Sequence, residues 1–164
     1  MCGIAGYFGP KNKVPSNSSI LNCLKQMKRR GPDSQNYKIK RYNKKTLILL
    51  HSRLSIIDPK KISNQPMEDE DSIISFNGEI YNYLELKKKL DIKKLTTNSD
   101  TEVLLKYLKI KKNIPKDDLD GMWSYAYFDK KKKNLFLSRD RFGEKPLYYK
   151  VEKDLIYFGS DINY

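Results

Sequence analysis

The sequence predicts an α+β domain of layered antiparallel sheets, and three observations carry that reading. Strand-like segments come first, two helix-like segments follow, and strand-like segments with charged or Gly/Pro turns fill the chain from Met122 onward. That order suits layered antiparallel sheets better than a doubly wound parallel sheet. In Trp123-Ser124-Tyr125-Ala126-Tyr127 large and small residues alternate, as expected where one sheet face packs on another sheet and the other on a helix. No repeat, Gly/Ser-rich linker or composition break interrupts the 164 residues, so a single domain over 1–164 is expected. A chain of this length buries roughly 68–70% of the surface its unfolded form exposes.

Each element has its own signal. Cys2 to Phe8 carries Ile4, Tyr7 and Phe8 and stops at Gly9-Pro10, which reads as a strand followed by a turn. Over Ser18 to Arg29, Ile20, Cys23, Leu24 and Met27 recur at i, i+3, i+4 and i+7, the stripe of an amphipathic helix, which places Cys23 in the core. Leu47 to Ile57 is strand-like with a polar interruption at His51-Ser52-Arg53, and Ser72 to Phe76 is a strand running into a turn at Asn77-Gly78. One helix then holds Tyr83, Leu86 and Leu90 on one face with Lys87 to Lys89 outward. A second opens with the capping box Ser99-Asp100-Thr101-Glu102 and turns Val103, Leu104, Tyr107 and Leu108 inward. Strands follow at Met122–Asp129, Asn134–Ser138, Leu147–Val151 and Leu155–Phe158.

Composition narrows the function classes. Hydrophobic residues at 38%, with 12 Tyr, 6 Phe and 1 Trp, provide a core that a disordered tail lacks, while 32% charged residues give a polar exterior. No apolar run approaches the ~18–20 residues of a membrane span, and MCGIAGYFG lacks the regions of a signal peptide, so a cytoplasmic protein without a membrane partner is expected. The net charge of +13 invites a nucleic-acid hypothesis. Its distribution argues otherwise: Lys87-Lys88-Lys89, Lys109-Lys111-Lys112 and Lys130 to Lys133 lie apart, where solvent-facing helix sides and turns are expected, so no nucleic-acid partner is expected. Two cysteines without CxxC or His-rich spacing predict neither a disulfide framework nor a metal site.

Cys2 is the residue with chemistry to offer. A small second side chain permits removal of Met1, and the cysteine then carries a free α-amine with a reference pKa of ~7.7–8.0. That amine can take the thiol proton directly or through a water, so nucleophile and base come from one residue. Gly3 allows close backbone approach and the strand beginning at Ile4 anchors the terminus.

Cys2 is accompanied, in order, by Arg29-Arg30-Gly31-Pro32-Asp33, His51-Ser52-Arg53-Leu54-Ser55-Ile56-Ile57-Asp58, Phe76-Asn77-Gly78-Glu79-Ile80-Tyr81-Asn82 and Asn98-Ser99-Asp100-Thr101-Glu102. Gln65-Pro66-Met67, LDGMWSYAYFD and LSRDRFGEKPLYY extend the pattern. Over essentially its whole length the chain resembles the N-terminal glutaminase domain of asparagine synthetase and its relatives, class II glutamine amidotransferases of the N-terminal-nucleophile (Ntn) hydrolase superfamily.

The resemblance implies a four-layer αββα sandwich and a set of roles. Cys2 matches the nucleophile that attacks the carboxamide of L-glutamine, giving a γ-glutamyl thioester and ammonia before water releases glutamate. Asn77 and Gly78 match the oxyanion hole, and a side-chain amide and a backbone N–H at a tight turn are suitable donors for a tetrahedral oxyanion. Arg53 matches the residue that binds the substrate α-carboxylate, a task suited to a bidentate guanidinium. Asp100 matches the partner of the α-ammonium, with Glu79 alongside, although Asp100 also suits the first turn of a helix. Leu54 and Ile56 match main-chain contacts lining the glutamine site, and Arg30 matches a structural residue near the nucleophile. His51 is the lone histidine; since the terminal amine is the base in this family, a structural hydrogen-bonding role is expected for it rather than a Cys–His pair.

Full-length relatives continue into an ATP-dependent domain with a Ser-Gly-Gly-rich phosphate loop, and nothing like that loop occurs in residues 1–164. The resemblance thus implies no cofactor for the glutaminase reaction, ATP and Mg only in the synthetase domain, and that domain or a partner chain as receiver of ammonia. Aspartate is the expected acceptor, with a sugar or another carboxylate as the alternative. A silent regulatory domain would have lost the nucleophile, an oxyanion donor or the arginine, and all three positions are filled.

Overall fold

In the computed structural model residues 1–111 and 118–164 are described; Lys112, at the end of one basic run, lies outside the described residues. Among the described residues nine strands form two antiparallel sheets. Strand β1 (Gly3–Pro10) lies at the centre of the first, between β3 (Lys45–Arg53) and β9 (Leu155–Gly159), with β2 (Ser34–Arg41) and β8 (Tyr148–Glu152) on the edges. The second sheet has the order β4 (Met67–Glu68), β5 (Ser72–Ile80), β6 (Gly121–Asp129), β7 (Asn134–Arg139). Helix α1 (Asn17–Met27) covers the outer face of the first sheet, and α2 (Tyr83–Lys89) and α3 (Asp100–Ile110) cover the outer face of the second. The four layers are αββα.

The period-2 alternation of strands sorts side chains into these layers. In β3, Ile48 and Leu50 pack with Ile20 and Leu24 of α1, whereas Leu47 and Leu49 turn to the second sheet and meet Ile73 and Phe128. In β6, Tyr125 and Tyr127 pack with Phe76, Val103 and Leu108 on the helical side, and Ala126 and Phe128 fill the space between the sheets. The alternation of Trp123 to Tyr127 thus has the meaning the sequence suggested. Phe8 of β1 meets Phe128 across the sheets edge to face, with ring centroids 5.4 Å apart.

Three local expectations are corrected and one strand is added. Gly9 and Pro10 belong to β1, with the turn displaced to Lys11–Lys13. Strand β2 carries no clean apolar alternation and was not foreseen; it is a half-buried edge strand whose Lys38 and Lys40 ion-pair with Glu68 at 2.7 Å each. His51, Ser52 and Arg53 do not interrupt β3 but are fully paired members of it, opposite Ile4 and Gly3 of β1 and Asn36 to Ser34 of β2. Asn77-Gly78 is not a turn: both residues lie within β5, paired with Ser124 and Trp123 of β6.

The capping box at α3 is half formed. Ser99 Oγ accepts the Glu102 N–H at 3.3 Å, but the Glu102 carboxylate accepts the N–H groups of Thr96 and Thr97 instead of that of Ser99. It thereby ties the segment before the helix to its first turn. Cys23 lies on the α1 stripe as expected but is only half-buried, and burial alone pushes its thiol up to about 11.

Candidate active site

Alternation also delivers the polar residues. Cys2 is six residues back along β1 from Phe8, Arg53 and His51 share the side of β3 that carries Leu47 and Leu49, and Asn77 shares the side of β5 that carries Ile73. At one end of the sandwich the apolar filling stops, and these side chains take its place. A cavity of about 150 Å³ opens there, and its walls include Cys2, Arg53, Leu54, Ile56, Asn77, Gly78, Glu79 and Asp100, every residue expected at the catalytic or substrate positions. Arg30 stands behind it, its Nε–H donating to the Cys2 carbonyl at 2.9 Å.

The thiol of Cys2 is held by one residue. The Leu54 N–H donates to Sγ at 3.4 Å and the Leu54 carbonyl accepts from it at 3.6 Å. Burial raises the thiol above its ordinary value, and the Leu54 N–H, the terminal ammonium and Arg53 offset only part of this. Such a thiol is protonated at neutral pH and needs a base before it can attack.

The β5 backbone provides the donors. Even-numbered residues of β5 direct their N–H groups away from β6, toward the edge that β4 covers only at Ile73 and Ile74. On that open stretch the Phe76 N–H is taken by Gln65 Oε1 at 2.7 Å and the Ile80 N–H by Asp100 Oδ2 at 3.0 Å. Gly78 lies between them and lines the cavity, and the same alternation directs its N–H to that open edge. A side chain at Gly78 would put its Cβ 2.1 Å from the Met122 carbonyl oxygen, so only glycine allows the strands this close. Asn77 is 1% exposed, with its Nδ2 at 3.4 Å from Ser124 Oγ, a long contact that leaves the amide free to serve another acceptor.

Asp100 and Arg53 are two of the charged walls. Asp100 is 5% exposed, and burial pushes its carboxyl up to about 6; the Ile80 and Thr101 N–H groups work against the shift and the Glu79 charge adds to it. Arg53 departs from its expected geometry. Its Nη1 donates to the Lys60 carbonyl and Asn64 Oδ1, and its Nη2 to the Ile57 and Asp58 carbonyls. Four of the five guanidinium N–H groups therefore fold the segment from Ile57 to Asn64 around the cation. The two-pronged grip on a carboxylate is absent from this arrangement, although the positive charge remains at the wall.

His51 is fully buried, and its Nε2 lies 2.9 Å from the Phe76 carbonyl, a bond in which the ring must donate. Burial lowers its pKa to about 4. No hydrogen bond joins it to Cys2; it clamps β3 to the residue before Asn77, the structural role expected of it.

Among the wall residues given no site role by the sequence reading are Gln65, Met122 and Lys145. Gln65, which precedes a cis peptide bond to Pro66, donates to Thr101 Oγ1 at 3.2 Å and so joins β5 to α3. Its signal was the Gln65-Pro66-Met67 segment. Lys145 lies in the LSRDRFGEKPLYY segment, to which no role at the site was given. A larger, mostly apolar cleft of about 440 Å³ lies between α1 and strands β8 and β9; its cysteine is Cys23, whose thiol burial pushes up to about 11.

An αββα sandwich with a thiol at the start of its central strand, facing the gap between the sheets, has the architecture of the Ntn-hydrolase class. The comparisons with known proteins make the relationship specific. The sequence profile described as a glutamine amidotransferase domain matches residues 1–164. The chain is 40% identical over 181 residues to the putative asparagine synthetase [glutamine-hydrolyzing] 2 of Methanocaldococcus jannaschii, covering 99% of this chain and 34% of that protein. It is also 40% identical over 169 residues to asparagine synthetase [glutamine-hydrolyzing] 1 of Bacillus subtilis, covering 98% of this chain and 26% of that one. Among solved structures, the glutamine phosphoribosylpyrophosphate amidotransferase of B. subtilis superposes with a TM-score of 0.72 over 97% of this chain and 42% of the other, at 16% identity, a likeness of fold. The chain belongs to the glutamine amidotransferase domain family. It spans about a third or less of the length of these curated relatives.

Proposed function

We propose that residues 1–164 act as a glutaminase domain that hydrolyses L-glutamine to L-glutamate and ammonia. The observation that carries the proposal is the meeting of the Cys2 thiol, the Asn77 amide, the Gly78 N–H and the Asp100 carboxylate in one cavity. Once Met1 is removed, the Cys2 amine takes the thiol proton, sulfur attacks the carboxamide carbon, and Asn77 Nδ2 and Gly78 N–H receive the developing oxyanion. The protonated amine gives its proton to the leaving nitrogen, ammonia departs, and water attacks the thioester to release glutamate and restore the thiol. Asp100 and Glu79 receive the substrate α-ammonium. Arg53 sets a positive potential for the α-carboxylate, with the main chain of Leu54 and Ile56 beside it. No step needs a metal or cofactor. A reducing, cytoplasmic setting would keep the nucleophile a free thiol.

The ammonia is proposed to pass to a synthetase domain or partner chain that activates a carboxylate with ATP and Mg. Aspartate is the acceptor favoured by the names of the relatives above, which describe glutamine-hydrolysing asparagine synthetases. The test is glutamate release without ATP by protein whose loss of Met1 has been established by intact mass. Cys2→Ala should abolish release with the fold unchanged, and Met1-retaining protein should be inactive. Full activity with Met1 in place would overturn the amine-as-base mechanism.

A further inference from the structure

Lys145 is 7% exposed and lines the same cavity as Cys2, Asn77 and Gly78. Buried lysines are ordinarily paired, because an ammonium taken out of water needs an anion or a full set of acceptors. Among the described residues no carboxylate lies within ion-pair distance of this one, and its Nζ donates to the Met1 thioether at 3.5 Å, a weak acceptor. The placement is built into the fold. Asp140, itself 6% exposed, accepts the N–H groups of Trp123, Phe142, Glu144 and Lys145 at 2.9 to 3.2 Å, folding the 140–145 loop onto β6 beside the residues that pair with Gly78 and Glu79. The loop thus aims a cation at the residue that must leave before Cys2 can act.

We propose that Lys145 is a positioning residue of the nucleophile, whose ammonium, released from Met1, holds the mature Cys2 amine in its neutral, proton-accepting form. The inference rests on the glutaminase reading above. A fixed positive charge disfavours a second one nearby, so the amine is free to accept the thiol proton. Once protonated, the amine is also a stronger acid toward the departing nitrogen. The proton count is unchanged: S–H breaks as N–H forms, and that proton leaves with ammonia. Other charged groups also face this terminus. Arg30 donates to the Cys2 carbonyl, Arg53 is occupied by the 57–64 segment, and Asp100 and Glu79 are the anions of the cavity. Lys145 is the cation that contacts the residue preceding Cys2.

The experiment compares Met1-free wild type, Lys145→Met and Lys145→Arg in two assays over pH 5 to 10. One is kcat/KM for glutamine. The other is the rate of Cys2 alkylation by iodoacetamide, with Cys23 resolved by peptide mapping, which needs neither glutamine nor turnover. Lys145→Met should move the acidic limb upward by about one pH unit in both assays, giving about a tenfold loss near pH 7 that recovers by pH 9. Lys145→Arg should keep the wild-type limb. Equal loss at all pH values, or an unmoved alkylation profile, overturns the proposal; should Lys145→Met fail to fold, Lys145→Gln takes its place. Absence of glutaminase activity in wild type defeats the reading of function, while the alkylation profile still tests Lys145.

Discussion

At the residue scale, the proposed glutaminase reading gives Asn77 and Asp100 separable roles, one in chemistry and one in binding. Asn77 meets charge that develops only at the reacting carbon, so Asn77→Ala should lower kcat by roughly 10²–10³ with little change in KM, as loss of one oxyanion donor does. A kcat within a factor of two of wild type would leave Asn77 as a sheet residue only. Asp100 meets the substrate amine. With its carboxyl at about 6 in the folded chain, it is ionised at pH 7.5 and protonated at pH 5. KM for glutamine should therefore rise as pH falls through 6, and Asp100→Asn should have a high KM that ignores this window. The stability consequence has the opposite sign. A carboxyl raised above its unfolded value binds its proton more tightly when folded, so stability falls as pH rises from about 4 to 6. Asp100→Asn, which can keep the Ile80 N–H bond, should be more stable than wild type above pH 6, by up to ~3 kcal/mol. Urea melts at pH 5 and 7.5 would show it.

At the scale of elements, β5 explains why Asn77 and Gly78 stand together. In a hairpin turn their donors would diverge with the turn type, but in an extended strand the Asn77 side chain points between the sheets while the Gly78 N–H points along the open edge. Gln65 and Asp100 cap the flanking N–H groups and keep that edge from pairing with another strand. Gly78→Ala would drive a methyl into the Met122 carbonyl and part β5 from β6. It should cost roughly 1–3 kcal/mol and abolish glutaminase activity, which paired denaturation and activity measurements would reveal. A neighbouring staple behaves differently. Glu68 on β4 binds Lys38 and Lys40 of β2 and Lys130 after β6. Burial opposes its ionisation, yet the three lysines hold it at about 2. Its contribution is therefore present above pH 4.5 and fades toward pH 2. Glu68→Gln should cost roughly 1 kcal/mol at neutral pH and leave kcat unchanged.

At the scale of the molecule, the proposed active site is divided between sheets: Cys2, Leu54 and Arg53 belong with the first, Asn77, Gly78 and Asp100 with the second and its helix. Their alignment depends on the apolar layer between the sheets, where Phe128 is fully buried against Phe8 and Tyr42. Phe128→Ala should cost ~3–5 kcal/mol and lower kcat/KM although no substrate touches it. Retained activity in a folded, destabilised variant would show that the halves of the site align without this layer.

The class of fold, the limits of most elements and the candidate site residues that the fold brings to one cavity were readable in the linear sequence. They depend on period-2 and period-3.6 apolar spacing and on motifs whose order survives without coordinates: Ile20 to Met27 and Val103 to Leu108 announced helices, and Cys2, Arg53, Asn77 and Asp100 announced the site. What tertiary structure alone decided is where each backbone donor points and which charges lose their water. Asn-Gly is locally a turn signal, and only the pairing of nine β5 residues with β6 holds it extended. Arg53 is locally a free guanidinium, and only the return of the 57–64 segment occupies four of its N–H groups. Lys145 is one of many lysines until Asp140 gathers its loop onto β6. Each of these outcomes depends on contacts between residues far apart in the chain, and local spacing carries no record of them.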